Sequence, residues 1–308
     1  VTIVSAQAAL DALDHGALVR RLDLGTIVVR GADRTSWLNG LVTSNLAKLR
    51  AGQGSYGLFC QKNGKILADA WLLAADDALW VAVPREGAER LAAGLDHYLI
   101  MEDATLEVSP EGNLAFVAFG PKSAAIVALA RQVGGLGATT VRARTDAAFV
   151  LVPASSRSAW DAALRADTAF VEASDDAWRR ARVALGVPEW GVDFDGSNYP
   201  QEAALEGDAV AFDKGCYLGQ EAVFMLEKRG HPSKRLVQLE IDGPAAPGDA
   251  VATDEPAAVG VITSAVSTPG GSLALGYVKY KHARTGERLV VGGHRARLTG
   301  LLVPPSEG

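Results

Sequence analysis

"GSYGLFCQKNGKILADAWLLA", residues 54–74, is the stretch that decides the fold. Two apolar runs, GSYGLFC and ILADAWLLA, flank QKNGK, and Asn63-Gly64 is the strongest short hairpin signal in the chain. A tight hairpin turn needs two residues that accept positive φ, and Asn-Gly supplies them. Asp76-Asp77 marks a second turn, after which ALWVAVP (78–84) reads as a returning strand. A sheet containing such hairpins is at least partly antiparallel, because parallel neighbours need long crossovers.

Upstream, Ser5 is placed to cap a helix through AQAALDALDHGALVRRL, with Leu10, Leu13, Ala17 and Leu18 at helical spacing. TIVVRG (26–31) reads as a strand, and Asp33 as the N-cap of a helix in RTSWLNGLVTSNL. Downstream, a helix is expected from Glu86 to Leu99. LAFVAFG precedes a helix opened by Pro121, and AAFVLVP precedes another from Ser156 to Arg165. The layering is α+β, with mixed or antiparallel sheets, and not a doubly wound parallel sheet.

From residue 178 the chain loses periodicity: WRRARVALGVPEWGVDFDGSNYPQEAAL reads as long ordered loops, which in compact proteins are often functional. After EKRGHPSKR, the short runs LVQLEI, AVGVITSAVS, LALGYV and RLVVGG carry the punctuation of a small all-β barrel. The expected division is an α+β domain over 1–235 and a β-barrel over 236–308. A chain of 308 residues exceeds the roughly 250–300 at which one core stops growing, so more than one unit is expected.

Composition narrows the function classes. With 48% hydrophobic and 21% charged residues the chain is globular, and a formal charge of −6 argues against a general nucleic-acid or membrane coat. The two cysteines, Cys60 and Cys216, cannot make a disulfide framework, and the five histidines form no zinc spacing. No run of about 18 apolar residues occurs. The N-terminal VTIVSAQAAL lacks a basic n-region, so a reduced, cytoplasmic setting is expected. Phosphate loops, H-E-x-x-H and G-x-S-x-G are absent.

One segment stands out chemically: KGCYLGQE, residues 214–221. Glycines at 215 and 219 let a backbone come close to another molecule, and Lys214 next to Cys216 would favour its thiolate. A cysteine packed as a small hydrophobe in a tight turn is the equal alternative. Asp69, within an apolar strand, either hydrogen-bonds a polar ligand or faces solvent, and Glu202 in YPQEAALE carries the same ambiguity. The basic run of Lys228, Arg229, Lys234 and Arg235 reads as a solvated linker or as an anion site.

KGCYLGQE resembles the signature loop of the YgfZ-type folate-binding proteins, relatives of the aminomethyltransferase (T-protein) of the glycine cleavage system. GADRTSWLNGLVTSNL (31–46), GKILADAWLL (64–73), YPQEAALEGDAVAFDKGC (199–216) and the stretch 259–289 are similar to that family as well, so the likeness spans about residues 20 to 300. Three positions depart from the T-protein. Ala68-Asp69 stands where it has adjacent aspartates, Ala184 where its Arg-x-Glu-Ala-Gly segment has glutamate, and Pro84 where an asparagine follows its next strand.

The resemblance implies a tetrahydrofolate site, with Asp69 or Glu202 facing the pterin and Arg229 or its basic neighbours pairing with the glutamate tail. It implies Cys216 as the reactive group, with Lys214 beside it and Gly215, Tyr217, Gly219, Gln220 and Glu221 completing the motif loop. The role implied is support of iron–sulfur cluster assembly or repair and, through client enzymes, of tRNA modification. Assembly or client proteins are the partners expected. No stable metal, membrane or direct nucleic-acid partner is expected. Four thiolates usually hold a cluster, so one cysteine would share ligation with a partner. The alternative is a folate-dependent aminomethyl or one-carbon transferase. A third class, a pure interaction module, would bind a client and no folate.

Overall fold

The computed structural model describes residues 6–109, 112–228, 230–253, 257–284 and 286–301. The chain divides into two compact units. One comprises residues 1–63, 67–178 and 208–220, and the other 64–66, 179–207 and 221–308. The first unit thus recruits a late segment, 208–220, which carries the cysteine.

The first unit holds two five-stranded sheets. One has the order β3-β4-β5-β2-β6, from β2 (Leu24–Arg30), β3 (Gly54–Cys60), β4 (Ile66–Ala74), β5 (Ala78–Pro84) and β6 (Thr105–Val108). The β3 and β4 runs are those flanking Asn63-Gly64, but the connection is a five-residue loop, 61–65, in which Gly64 takes φ +82° while Asn63 keeps negative φ, so it is not the two-residue turn that the pair suggests. Its core gathers Ile27, Val29, Phe59, Leu72 and Val81 against Leu38 of α2 (Arg34–Asn39) and Leu91 of α3 (Ala88–Asp96). Burying each such side chain contributes roughly 1.5–3 kcal/mol.

The second sheet has the order β10-β1-β7-β9-β8. It comprises β1 (Ala17–Leu22), β7 (Asn113–Phe119), β8 (Leu136–Arg142), β9 (Thr145–Pro153) and β10 (Phe170–Glu172). Only the β1–β10 pair is parallel. Ile126 and Ala130 of α4 (Ser123–Gln132) and Trp160 of α5 (Arg157–Ala166) close its core with Phe116 and Val150.

The run expected to continue the first helix breaks instead. Helix α1 (Ala6–His15) stops before Gly16, and ALVRRL becomes β1. A Cβ at Gly16 would lie 2.5 Å from the Ala169 carbonyl oxygen, and the adjoining register Ala17↔Phe170 supplies partners that a lone helix could not. Asp33 flanks α2 without a side-chain cap. Its Oδ2 accepts the Asp103 amide at 2.9 Å instead. Ser5, the expected cap of α1, lies outside the described residues.

The second unit contains a closed six-stranded barrel, β11-β14-β13-β12-β15-β16. Its strands are β11 (Lys234–Ile241), β12 (Ala250–Ala252), β13 (Ala258–Thr268), β14 (Gly271–Lys279), β15 (Leu289–Val291) and β16 (His294–Gly300). Val237, Leu239, Val251, Ile262 and Leu289 fill it. Residues 178–185, read from sequence as loop, belong to helix α6 (Asp175–Leu185). The second unit's Arg182 is buried there, pairing with Glu189 at 2.6 Å and Asp193 at 2.5 Å and donating to Ser264 Oγ at 2.8 Å. Polar residues dilute the helical period that a buried arginine and its partners replace.

Candidate functional site

The cysteine segment is held by nearly every residue of its motif except the cysteine. Lys214 Nζ donates to three backbone carbonyls at and just past the end of α2: Asn39 at 2.6 Å, Val42 at 2.8 Å and Ser44 at 2.8 Å. An ammonium has three N–H donors, and here each has an acceptor. Burial pushes the Lys214 pKa down to about 8. Sequence alone offered Lys214 as an electrostatic aid to the thiol; the structure gives it an anchoring task. Asp213, one residue earlier, pairs with Lys48 at 2.9 Å.

Beyond the cysteine the chain turns inward again. Tyr217 is buried, and burial raises its phenol well above the ordinary tyrosine value. Leu218 packs on the core around Leu38 and Phe59, and its amide donates to Gly40 O at 3.0 Å. Gly219 sits at φ +83°, a left-handed conformation that side chains resist. Gln220 opens helix α8 (Gln220–Lys228) and reaches back to Gly215 O at 3.4 Å. Glu221 follows in the first turn and is exposed. A Cβ built on Gly215 meets nothing within 4 Å. The outcome is a clamped loop that projects Cys216 into solvent.

Cys60 is the opposite case. It lies at the end of β3, buried, and desolvation pushes its thiol up to about 12. Its neutral form is therefore the one present at ordinary pH.

Asp69 occupies the same unit. It is partly exposed on β4, and Tyr56 Oη donates to its Oδ2 at 2.8 Å. Tyr56 is buried, and burial, followed by the Asp69 charge, raises its pKa far above the ordinary value, so the hydroxyl remains a donor. The Trp71 ring lies 5.0 Å from the Tyr56 ring and stacks on Phe149 at 4.9 Å and 10°. The Arg142 guanidinium lies over the Tyr56 ring, its Cζ 3.4 Å from the centroid and 5.5 Å from that of Trp71. Sequence reading missed Tyr56 and Arg142, although the hairpin contained a signal for the first: counting outward from Asn63-Gly64 sets residue 56 across from 71.

Glu202 lies in the second unit, so the two candidate carboxylates belong to separate bodies. It is buried, with its oxygens accepting from Asn198 Nδ2 at 3.5 Å, the Tyr199 amide at 3.2 Å and Ser233 Oγ at 3.1 Å. That carboxylate organises the loop preceding it. Arg235 is also occupied, with Glu206 at 2.6 Å and the Gln201 carbonyl at 3.1 Å. Burial raises the Glu206 pKa, opposed by the Arg235 charge. Arg229 lies outside the described residues. Lys228 is exposed at the end of α8, and Lys234 opens β11 with its Nζ 4.5 Å from the Tyr277 ring centroid.

Comparison with known proteins bears on the family and the fold. Residues 14–135 match the family described as GCVT N-terminal domain, and residues 234–305 the Glycine cleavage T-protein C-terminal barrel domain. The Aminomethyltransferase of Halothermothrix orenii is 28% identical over 308 residues, covering 91% of this chain and 85% of its own. The tRNA-modifying protein YgfZ of Sodalis glossinidius is 24% identical over 249 residues, covering 75% of this chain and 74% of its own. Among solved structures, glycine cleavage system aminomethyltransferase T from Bartonella henselae superposes with a TM-score of 0.80 at 20% identity, covering 96% of this chain and 87% of that one.

Proposed function

Because this chain belongs to the glycine cleavage T-protein family, carrying both its N-terminal domain and its C-terminal barrel, we propose that it is a tetrahydrofolate-binding accessory protein of iron–sulfur cluster assembly or repair. In this reading Cys216 is the group that meets a partner. Support for tRNA modification would follow indirectly, through iron–sulfur client enzymes.

The observation that carries the reading is the cysteine loop. Lys214, Tyr217, Leu218, Gly219 and Gln220 are all committed to holding a turn whose tip is an exposed thiol. A merely structural cysteine would point inward, as Cys60 does. Of the two thiols only Cys216 is accessible, and a cluster usually takes four thiolates. On deprotonation Cys216 can supply one sulfur ligand, with the partner providing the rest.

Folate fits the residues of the first unit. A pterin presents a row of N–H donors, for which a partly exposed carboxylate oriented by a buried tyrosine hydroxyl is a suitable acceptor, and Asp69 is such a group. Glu202 is less suited, since it is buried and already accepts three hydrogen bonds. Folate itself would supply a one-carbon carrier. The chain's own part is to bind and orient it.

The second reading, a folate-dependent aminomethyl or one-carbon transferase, is favoured by the 28% identity to an aminomethyltransferase. Weighing against it are Ala68 and Ala184, at positions where the T-protein pattern has carboxylates. Calorimetric titration with tetrahydrofolate tests the proposal. Binding that is lost in Asp69→Ala and retained in Cys216→Ala would support separate binding and thiol sites. Absence of binding to any folate would overturn the folate half. Turnover of an aminomethyl-loaded carrier protein would replace the proposal with the transferase.

A further inference from the structure

The β8–β9 turn of the first unit breaks a local rule. Arg142 pairs with Thr145 in the ladder, leaving Ala143-Arg144 as a two-residue hairpin turn. Both take positive φ, +48° and +61°, where Asn-Gly or another glycine-containing pair is the usual choice. For residues bearing a Cβ this conformation costs about 1–2 kcal/mol each, and such strain persists only where surrounding contacts over-determine it.

Those contacts come from Asp208. Its Oδ2 lies 3.1 Å from Arg142 Nε and accepts the Ala143 amide at 3.1 Å. The carboxylate thus fixes the turn and the arginine together. The Arg142 side chain is 3% exposed; its Nε meets Asp208 as an ion pair without hydrogen-bond geometry, and its Nη1 has no hydrogen-bond partner among the described residues. A guanidinium buried with an unmade bond and a strained turn is costly for stability alone. What the arrangement achieves is a cation centred over the Tyr56 ring, its Cζ 3.4 Å from the centroid, while the Tyr56 hydroxyl holds Asp69.

We infer that Arg142, anchored by Asp208, is a positioning residue for the Asp69 carboxylate, acting through Tyr56. This rests on the reading of Asp69 as the folate-facing group. A cation against the ring face draws electron density from the phenol and strengthens its O–H as a donor. The carboxylate is then held ionised and in one orientation toward the ligand. Arg142 itself touches no pterin in this scheme.

The decisive measurement does not need folate. In the full chain, the Asp69 carboxyl is followed by carbon-13 NMR across pH, its signal assigned by difference from Asp69→Asn. Arg142→Gln is expected to move the titration midpoint upward, because both the nearby positive charge and the stronger donor are lost. An unchanged midpoint overturns the inference. Should Arg142→Gln fail to fold, Tyr56→Phe removes only the hydroxyl and is expected to shift the midpoint the same way; no shift again overturns it.

The second arm uses tetrahydrofolate affinity. Arg142→Gln is expected to weaken binding by about tenfold. Arg142→Gln with Asp69→Asn is expected to bind within about twofold of Asp69→Asn alone, as for residues acting in one chain. Losses that multiply would show that Arg142 acts elsewhere and would overturn the relay. If the wild type binds no folate, the folate reading fails by itself, while the NMR titration still decides the role of Arg142.

Discussion

Replacing Lys214 with methionine isolates the clamp on the cysteine loop. The side chain keeps its length and apolar stem and loses the three N–H···O bonds at 2.6–2.8 Å to Asn39, Val42 and Ser44. Each carbonyl left without a donor costs about 1–3 kcal/mol if dry. Water reaching a half-buried site, and relief from burying an ammonium, return part of that. A net loss of about 2–4 kcal/mol is expected, a fall in Tm of about 5–12 °C for a unit of this size. Thermal unfolding by circular dichroism gives the first readout, and the rate of Cys216 labelling the second, since a released loop exposes its thiol differently.

The pH dependence adds a sign. Lys214 titrates near 8 in the folded chain and near 10.4 in the unfolded one. Between those values the unfolded chain binds more protons, so wild-type stability rises with pH through the window relative to Lys214→Met. The stability gap between the two proteins should therefore widen from pH 8 to pH 10. A gap that narrows would mean that the carbonyls hold the charged form more strongly than burial disfavours it. An unchanged Tm together with unchanged labelling would refute the clamp itself.

Three further outcomes are expected. At pH 8 a thiol reagent should modify one cysteine, Cys216, in the native protein and the second only after denaturation, because Cys60 with its pKa near 12 is thiolate in about one molecule in ten thousand; mass mapping of a labelled Cys60 under native conditions would contradict its burial. Gly219→Ala should destabilise by about 1–2 kcal/mol, read as a lower denaturation midpoint, since its φ is +83°; an unaltered midpoint would show that the loop adapts at no cost. Arg182→Ala should cost about 3–5 kcal/mol by leaving Asp193 buried without its cation, whereas a melting curve matching wild type would show that water replaces the guanidinium.

Much of the fold was legible because its signals are local. Asn63-Gly64 announced the β3–β4 hairpin, and the runs LAFVAFG and AAFVLVP became β7 and β9 with helices after them. The errors fell where distant partners decide. ALVRRL carries a helical period, yet β7 and β10 claim it as a strand. WRRARVAL looked irregular because a buried arginine sits where an apolar residue would mark the helix face.

The candidate site divides the same way. Cys216 was visible in its glycine-flanked octamer, and Asp69 as an oddity in an apolar strand. Lys214's acceptors are 170 or more residues away in sequence, and Asp208 lies 65 residues beyond the Ala143 amide that it accepts. No window of sequence contains both members of either pair. Arg142-Ala143-Arg144-Thr145 lacks the glycine that would have flagged its turn, because Asp208 supplies from elsewhere what glycine would supply locally.

The late recruitment of residues 208–220 into the first unit bears on how the molecule is made. On the ribosome, both sheets of that unit are synthesised by residue 178, but the segment bearing Asp208, Lys214 and Cys216 follows about forty residues later, a delay of a few seconds at ordinary elongation rates. Until it emerges, the carbonyls beyond α2 have no lysine and the β8–β9 turn has no carboxylate. The nascent unit is therefore unfinished while the next stretch is being translated. The thiol enters the fold together with the two side chains that complete it, so a nascent chain reaching its folded state is one in which the cysteine is already clamped.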